Sequence, residues 1–153
     1  IMSEKILKDF NILQIRIRMP ISSDNSPRNL ITKLLGYNKV ISVQNSVTII
    51  EDAFLVIKEL IEKDETGIFN VVNKNPITHQ EILSMVEEIA QKKLDYKIIS
   101  TEELSKITKT GRSNCVLSTR KLENLGIKIQ DSKDSIKNCI TNYFKNLNED
   151  QLK

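Results

Sequence analysis

The sequence predicts an α/β fold, because patterns typical of strands and of helices alternate along nearly its whole length. Residues 12–19 alternate apolar and polar side chains, as a strand with one buried face does. Residues 49–63 place apolar side chains at helical spacing. The chain has 153 residues, of which 39% are hydrophobic and 28% charged, a composition typical of one folded domain. We therefore expect a single α/β unit with at least partly parallel strand pairing.

Local signals set the order of the elements. Strands are predicted at residues 12–19, 39–43, 67–72 and 96–99. Helices are predicted at residues 2–10, 28–35, 49–63, 78–89, 100–107, 118–125 and 131–145. Pro20 ends the first strand because it cannot donate to a strand ladder, and Gly36 stops the second helix. Thr78 with Glu81, and Ser100 with Glu103, have the spacing of capping boxes. The helix at 49–63 is expected to bury Ile50, Phe54, Ile57 and Ile61.

The composition excludes several classes of function. The 23 Lys and Arg residues are interleaved with 20 Asp and Glu residues, for a net charge of +3, so no nucleic-acid partner is expected. No apolar stretch approaches the roughly 20 residues of a membrane span, and no membrane partner is expected. Cys115, Cys139 and the single histidine, His79, form no metal or disulfide pattern, which favours a reduced intracellular setting. The four glycines are dispersed, so the sequence shows no nucleotide fingerprint.

Two basic side chains are candidate functional residues, and each also has an ordinary structural interpretation. Lys33, on the predicted helix 28–35, has the chemistry of a general acid, but the residues alone favour a solvated surface lysine. Arg112 lies in a polar loop and has a guanidinium suited to gripping phosphates, whereas a surface arginine or a helix C-cap contact is the ordinary interpretation.

Other polar residues are weaker candidates. Asn45 and Ser46 follow a strand and either present an amide and a hydroxyl to a polar ligand or simply form a turn. Arg16 and Arg18 share one strand face, which indicates a sheet edge, a partner carboxylate or an anionic ligand. His79 directly follows the cap Thr78 and is expected to be exposed in the first helical turn.

Longer runs of residues carry a family resemblance. They read Arg16-Ile-Arg-Met-Pro-Ile-Ser-Ser-Asp24, Ser26-Pro-Arg-Asn-Leu-Ile-Thr-Lys33, Tyr37-Asn-Lys-Val40, Asn45-Ser-Val-Thr48, Gly67-Ile-Phe-Asn70, Thr78-His-Gln-Glu-Ile-Leu83 and Arg112-Ser-Asn114 with Leu117 and Lys121. In these runs the chain resembles the C-terminal half of the bifunctional 3,5-epimerase/4-reductases that convert nucleotide-linked 4-keto-6-deoxyglucose to rhamnose. These enzymes are members of the extended short-chain dehydrogenase/reductase superfamily.

The resemblance implies a division of the chain and a cofactor. Residues 1–26 would be the end of a helix and a late strand of a Rossmann sheet, and residues 27–153 mainly a substrate-binding lobe. Met19, Pro20 and Ser22 would pass near the nicotinamide of NADPH. The NADP-binding half, with its glycine-rich loop, its Tyr-x-x-x-Lys pair and a partner cysteine, would lie upstream of this chain.

The resemblance also implies roles in the sugar site. Lys33 would be one of the two acid/base groups of epimerisation, and Asn29 would line the sugar site on the same helix. Asn45 and Ser46 would hold the nucleotide sugar, and Arg112 would lie near its diphosphate.

Further implications concern the whole protein. The 153 residues alone are expected to be inactive, and the full-length enzyme to be cytoplasmic and a possible homodimer. The alternative is a non-catalytic, nucleotide-sugar-binding or regulatory module derived from a truncated reductase. No residue here discriminates a UDP from a dTDP donor.

Overall fold

The strands of the computed structural model, which describes residues 2–108 and 113–150, pair in parallel. The strands are β1 (Leu13–Arg16), β2 (Pro20–Ile21), β3 (Lys39–Ile41), β4 (Thr48–Ile49), β5 (Gly67–Asn70) and β6 (Lys97–Ile99). The helices are α1 (Met2–Ile6), α2 (Leu30–Leu35), α3 (Ile50–Glu62), α4 (His79–Ala90), α5 (Thr101–Ile107), α6 (Arg120–Asn124) and α7 (Ser132–Asp150). The pairs are β1 with β5, β2 with β4 and β3 with β6. The predicted α/β fold with parallel pairing is confirmed.

Two apolar cores hold these elements together. The larger core packs α2, α4 and α7 around β2, β3 and β4, with Ile31, Ile82 and Ile140 completely buried. The smaller core joins β1 and β5 to α3 and α6, with Phe69 and Leu60 at its centre. The smaller core draws its residues from both sides of residue 26, and the division of the chain at that position stays a prediction.

Strand β1 is tied to the preceding helix by an ion pair. The Arg16 guanidinium donates from Nε and Nη2 to the two carboxylate oxygens of Glu4, at 2.6 and 2.7 Å. This two-pronged geometry is the strongest form of an arginine–carboxylate contact. It supplies the partner carboxylate that the shared strand face of Arg16 and Arg18 indicates.

The Glu4–Arg16 pair gives the fold a testable pH dependence. The hydrogen bond from Arg16 lowers the pKa of Glu4 from 4.5 to about 2. Because this pKa is lower in the folded than in the unfolded chain, the stabilisation is complete above about pH 4.5 and is lost as the pH falls towards 2. We expect Glu4→Gln to lower the melting temperature near neutral pH and the difference from wild type to shrink in acid.

Thermal melts followed by circular dichroism between pH 2 and 7 measure this effect. The matched control is Glu88→Gln, which removes an exposed carboxylate 3.4 Å from the Lys137 ammonium. The control should leave the pH profile close to wild type. A Glu4→Gln deficit that stays constant across this pH range would contradict the assignment.

Helix α2 is fixed at both of its faces. Asn29 caps its N-terminus, Ile31 and Leu34 are buried against the larger core, and the backbone N–H of Gly36 closes its last turn. The Thr32 hydroxyl lies 3.0 Å from the Tyr143 hydroxyl on α7. The backbone of Lys33 is therefore held rigidly although its side chain is exposed.

Two predictions about local structure are wrong. Helix α3 buries Ala53, Val56 and Leu60, whereas Phe54 is 67% and Ile61 61% exposed, so the predicted face is not the one that packs on β5. A helix with two apolar stripes can bury either stripe, and packing against the sheet determines which of the two is buried. His79 is 6% exposed rather than solvated, because an antiparallel bridge between Asn45 and Ile77 draws the start of α4 into the fold.

The remaining local signals differ little from the structure. Pro20 does not lie within β1, which ends at Arg16, but it begins the short strand β2. The Thr78–Glu81 capping box is present in full. Ser100 accepts a hydrogen bond from the backbone N–H of Glu103, as a cap does. Within the described ranges, no helix combines the length and the apolar character that crossing a membrane requires.

Candidate functional site

A cavity of about 230 Å³ opens beyond the C-terminal end of β1. Its wall includes Arg18, Met19, Leu30, Asn45, His79 and Asn114, and we call it the inner cavity. A larger open groove of about 610 Å³ runs along β1 and shares Arg18 and Ser113 with the inner cavity. In parallel α/β sheets, ligands bind beyond the carboxyl ends of the strands, which is where the inner cavity lies.

The backbone between β1 and β2 is strained at the edge of this cavity. Met19 has φ = +44°, in the left-handed region that side chains other than glycine rarely adopt. Such outliers persist where the surrounding structure determines them and they concentrate at functional sites. Met19 lies in the cavity wall, Pro20 is exposed and Ser22 is half-buried.

Asn29 is 5% exposed and its amide is saturated by the chain itself. Its Nδ2 group donates to the carbonyl oxygens of Ser22 and Asp24, at 2.7 and 2.6 Å. Its Oδ1 atom accepts from the backbone N–H groups of Ser22 and Ile31, both at 3.4 Å. Asn29 therefore holds the loop from Ser22 onto the start of α2.

Asn45 and Ser46 are 3% and 2% exposed, and both bond the segment that follows residue 112. The Asn45 Oδ1 atom accepts from the backbone N–H of Cys115 at 3.0 Å. The Ser46 backbone N–H donates to the Cys115 carbonyl oxygen, and the Ser46 hydroxyl accepts from the backbone N–H of Leu117 at 2.9 Å. These contacts hold residues 115–117 against the connection between β3 and β4, which carries Asn45 and Ser46.

Arg18, two residues beyond β1, joins the same network. Its Nη2 group donates to Asn45 Oδ1 at 2.9 Å and to the carbonyl oxygen of Ser113. Its Nε group is buried without a hydrogen-bond partner in the described part of the chain. Arg18 thus brings a permanent positive charge to the inner cavity and bridges two of its walls.

Lys33 is exposed on α2, one helical turn beyond Leu30. Leu30 lies in the wall of the inner cavity. Residues three apart on a helix occupy the same face, so Lys33 shares a face of α2 with Leu30, but Lys33 is not itself one of the residues that line the inner cavity. Its ammonium group faces solvent rather than the larger core.

The described residues show neither a metal cluster nor a cradle for phosphate. Within residues 2–108 and 113–150, no group of three or more His, Cys, Asp or Glu side chains is placed to hold a metal ion. Gly36 ends α2, Gly67 begins β5 and Gly126 follows α6, so none of these glycines opens a helix as a phosphate-binding glycine does.

The comparisons with known proteins agree with this architecture. No protein-family model matches the chain. The mimivirus protein L780 is 35% identical over 133 residues, which is 87% of this chain and 46% of L780. The crystal structure of L780, a UDP-rhamnose synthase, superposes with a TM-score of 0.83 at 34% identity over 90% of this chain and 49% of that one.

This chain is a homologue of the rhamnose-forming epimerase/reductases. An Arabidopsis thaliana bifunctional dTDP-4-dehydrorhamnose 3,5-epimerase/reductase is 36% identical over 137 residues, 88% of this chain and 46% of that protein. The chain therefore spans about half the length of the curated relatives it matches.

A more distant structure shows the fold alone. It is the NADP complex of a dTDP-4-dehydrorhamnose reductase from Bacillus anthracis, with a TM-score of 0.65 at 17% identity over 86% of this chain and 47% of that one. The resemblance inferred from the sequence to rhamnose-forming epimerase/reductases is thus confirmed, and so is the Rossmann-type fold.

The structure brings only some of the predicted site residues of this epimerase/reductase homologue together. Met19 and Asn45 share the inner cavity, with Lys33 on the adjoining helix face. Asn29 and Ser46 are buried and bond the chain itself. Arg112 lies outside the described residues.

Two residues of the cavity wall are not among the predicted site residues. The sequence marks Arg18 as unusual, because two arginines on one strand face indicate a sheet edge, a partner carboxylate or an anionic ligand, but assigns it no role in the site. His79 carries no such signal, because its position after a helix cap is normally solvated and only the bridge between Asn45 and Ile77 buries it.

Proposed function

We propose that this chain is the sugar-binding part of an NADPH-dependent 3,5-epimerase/4-reductase that makes nucleotide-linked L-rhamnose. The observation that carries the proposal is the 34% identity and TM-score of 0.83 to the L780 UDP-rhamnose synthase over 90% of this chain. The inner cavity at the C-terminal end of β1 is the site that this function requires.

The chemistry of epimerisation explains why a residue like Lys33 is needed. Inverting a carbon next to a ketone requires one group that removes the α-proton and another that returns a proton from the opposite face. An amine has the chemistry for one of these roles, and we assign it to Lys33, which lies one helical turn from Leu30 in the wall of the inner cavity. The second group would come from the half of the enzyme that this chain does not match.

The residues of this chain are placed to contact only the nicotinamide end of the cofactor. The Met19–Ser22 connection lies beside the inner cavity, so Met19, Pro20 and Ser22 would line the nicotinamide end. None of the described glycines opens a helix to receive the phosphates, which would be held elsewhere. When bound, NADPH supplies the hydride that reduces the C4 ketone. We therefore expect the chain alone to be inactive.

The nucleotide part of the substrate carries two negative charges on its diphosphate. Arg18 and Arg112 are the cations nearest in sequence to the segments that form the inner cavity, and we assign Arg112 to the diphosphate. We assign Asn45 and Ser46 to the nucleotide-sugar site, where their contacts with residues 115–117 make them supports of its wall. Asn29 supports the sugar side in the same way, through the Ser22 loop.

Two features of the whole protein stay predictions. The exposed stripe of α3 with Phe54 and Ile61 is an apolar surface suited to burial by a further part of the enzyme or by a second copy in a homodimer. A cytoplasmic location follows from the resemblance alone.

A chimeric enzyme tests the function. In it, this chain replaces the matching half of L780, and UDP-rhamnose formation from UDP-4-keto-6-deoxy-D-glucose and NADPH is followed by mass spectrometry. We expect the chimera to form UDP-rhamnose, and the same assay with the dTDP-linked substrate to reveal the preferred donor. A chimera that folds and binds NADPH but forms no rhamnose product contradicts the proposal. Binding of UDP-glucose to such an inactive chimera would identify the non-catalytic module instead.

A further inference from the structure

Arg18 makes a contact that neither the family resemblance nor the proposed function assigns. It lies two residues beyond β1, and its guanidinium bonds both the Asn45 side chain and the Ser113 backbone. These partners lie in segments far apart in sequence. We call the three residues Arg18, Asn45 and Ser113 the Arg18 clasp.

The orientation of Asn45 in this clasp is fixed by its other contacts. The backbone N–H of Cys115 is a donor, so the atom that accepts from it at 3.0 Å must be the amide oxygen. The same oxygen accepts from Arg18 at 2.9 Å. The amide nitrogen then points to Asn114 Oδ1 and the Val43 carbonyl oxygen, both at 3.3 Å. Asn45 therefore hydrogen-bonds Arg18 on one side and Asn114 and Cys115 on the other.

The clasp determines the shape of the inner cavity. Ser113 and Asn114 form part of its wall and are exposed, so no buried side chain of their own anchors them. Their anchors are the Arg18 contact with Ser113 and the Asn45 contacts with Asn114 and Cys115. Both contacts are made by the Nη2 nitrogen at the end of the Arg18 side chain. A lysine at position 18 would keep the charge, but its side chain is one bond shorter and would not place its ammonium nitrogen where Nη2 lies.

We propose that Arg18 is a positioning residue that, through the clasp, holds residues 113–117 in the wall of the nucleotide-sugar site. The proposal rests on the proposed function for the identity of the ligand. The Arg18 charge also makes the rim of the site attractive to an anionic diphosphate, whereas its Nη2 group is already used within the chain.

Amide hydrogen exchange measured by NMR on the full 153-residue chain tests the clasp. The reporters are the backbone N–H groups of Cys115 and Leu117, which bond Asn45 and Ser46. We expect Arg18→Lys to speed exchange at Cys115 by roughly tenfold, the loss of about one hydrogen bond of protection. The control is Arg16→Lys at the end of β1, which disturbs the Glu4 pair and should leave the exchange rates of Cys115 and Leu117 unchanged. Unchanged exchange in Arg18→Lys overturns the proposal.

Calorimetric titration with UDP tests the role of the clasp in binding. We expect Arg18→Lys to weaken UDP binding by about tenfold and Arg16→Lys to change it less than about twofold. Faster exchange at Cys115 with unchanged UDP affinity would make the clasp purely structural and overturn the positioning role. A wild-type chain that binds neither UDP nor dTDP contradicts the proposed function, and the exchange result then still decides separately whether the clasp exists.

Discussion

Replacing Lys33 by alanine in the L780 chimera should abolish epimerisation while sparing reduction. Loss of a general acid/base group typically costs about 10² to 10⁴ in rate. We expect exchange of the C3 and C5 protons with solvent deuterium to fall by at least about 10², because α2 carries no other ionisable side chain that could replace the Lys33 amine. Reduction of UDP-4-keto-L-rhamnose, which is already epimerised, should continue at close to the parent rate.

The two half-reactions separate catalysis from substrate positioning. Deuterium incorporation is read by mass spectrometry, and reduction by the loss of NADPH absorbance. The control is Lys58→Ala, an exposed lysine on α3 whose ammonium lies 3.6 Å from Glu62, and it should leave both steps unchanged. If both steps fall together in Lys33→Ala, the lysine positions the substrate and is not the acid/base group.

The regular part of the fold could be predicted from the sequence because it is local. The helices, the Thr78–Glu81 capping box and the strand β1 each depend on neighbouring residues, and each is present in the structure, although the four residues of β1 are all half-buried rather than alternately buried and exposed. Strands β2 and β4 have two residues each, too few to show any period, so they were not predicted. The buried face of α3 depends on which of its two apolar stripes meets Phe69, and that is a tertiary choice.

In the candidate site, too, sequence patterns do not reveal which side chains contact each other across distant segments. Asn45 and Ser46 could be found from the sequence as polar residues after a strand, but their partners lie near residue 115. A contact between segments so far apart leaves no periodic signal in either. Sequence reasoning therefore identifies which polar groups are available at a site, whereas the structure decides which of them the chain itself already uses.

Asn29 provides the clearest test of that distinction, because its two possible roles predict opposite results. If Asn29 were only a helix cap, Asn29→Asp would be tolerated, since aspartate caps helices as well as asparagine does. In the structure the Nδ2 group also donates to the carbonyl oxygens of Ser22 and Asp24 at 2.7 and 2.6 Å. A carboxylate oxygen at that position would face two carbonyl oxygens and repel both.

We therefore expect Asn29→Asp to destabilise the chain at least as much as Asn29→Ala. The alanine variant loses the cap and leaves two carbonyl groups unsatisfied, which should cost about 2 kcal/mol in the free energy of unfolding. For a domain of this size, that corresponds to a melting temperature about 4 to 8 °C lower. Asn38→Asp, at an exposed asparagine just after α2, is the control and should change little.

The stability of Asn29→Asp then decides what Asn29 does for catalysis. A destabilised Asn29→Asp means that the amide fastens the Ser22 loop to α2, so the variant should also misplace Lys33 and slow proton exchange at C3 and C5 in the chimera. An Asn29→Asp chain as stable as wild type would show that the contacts with Ser22 and Asp24 contribute nothing. The Asn29 amide would then be free to bind the sugar, as the sequence resemblance implies.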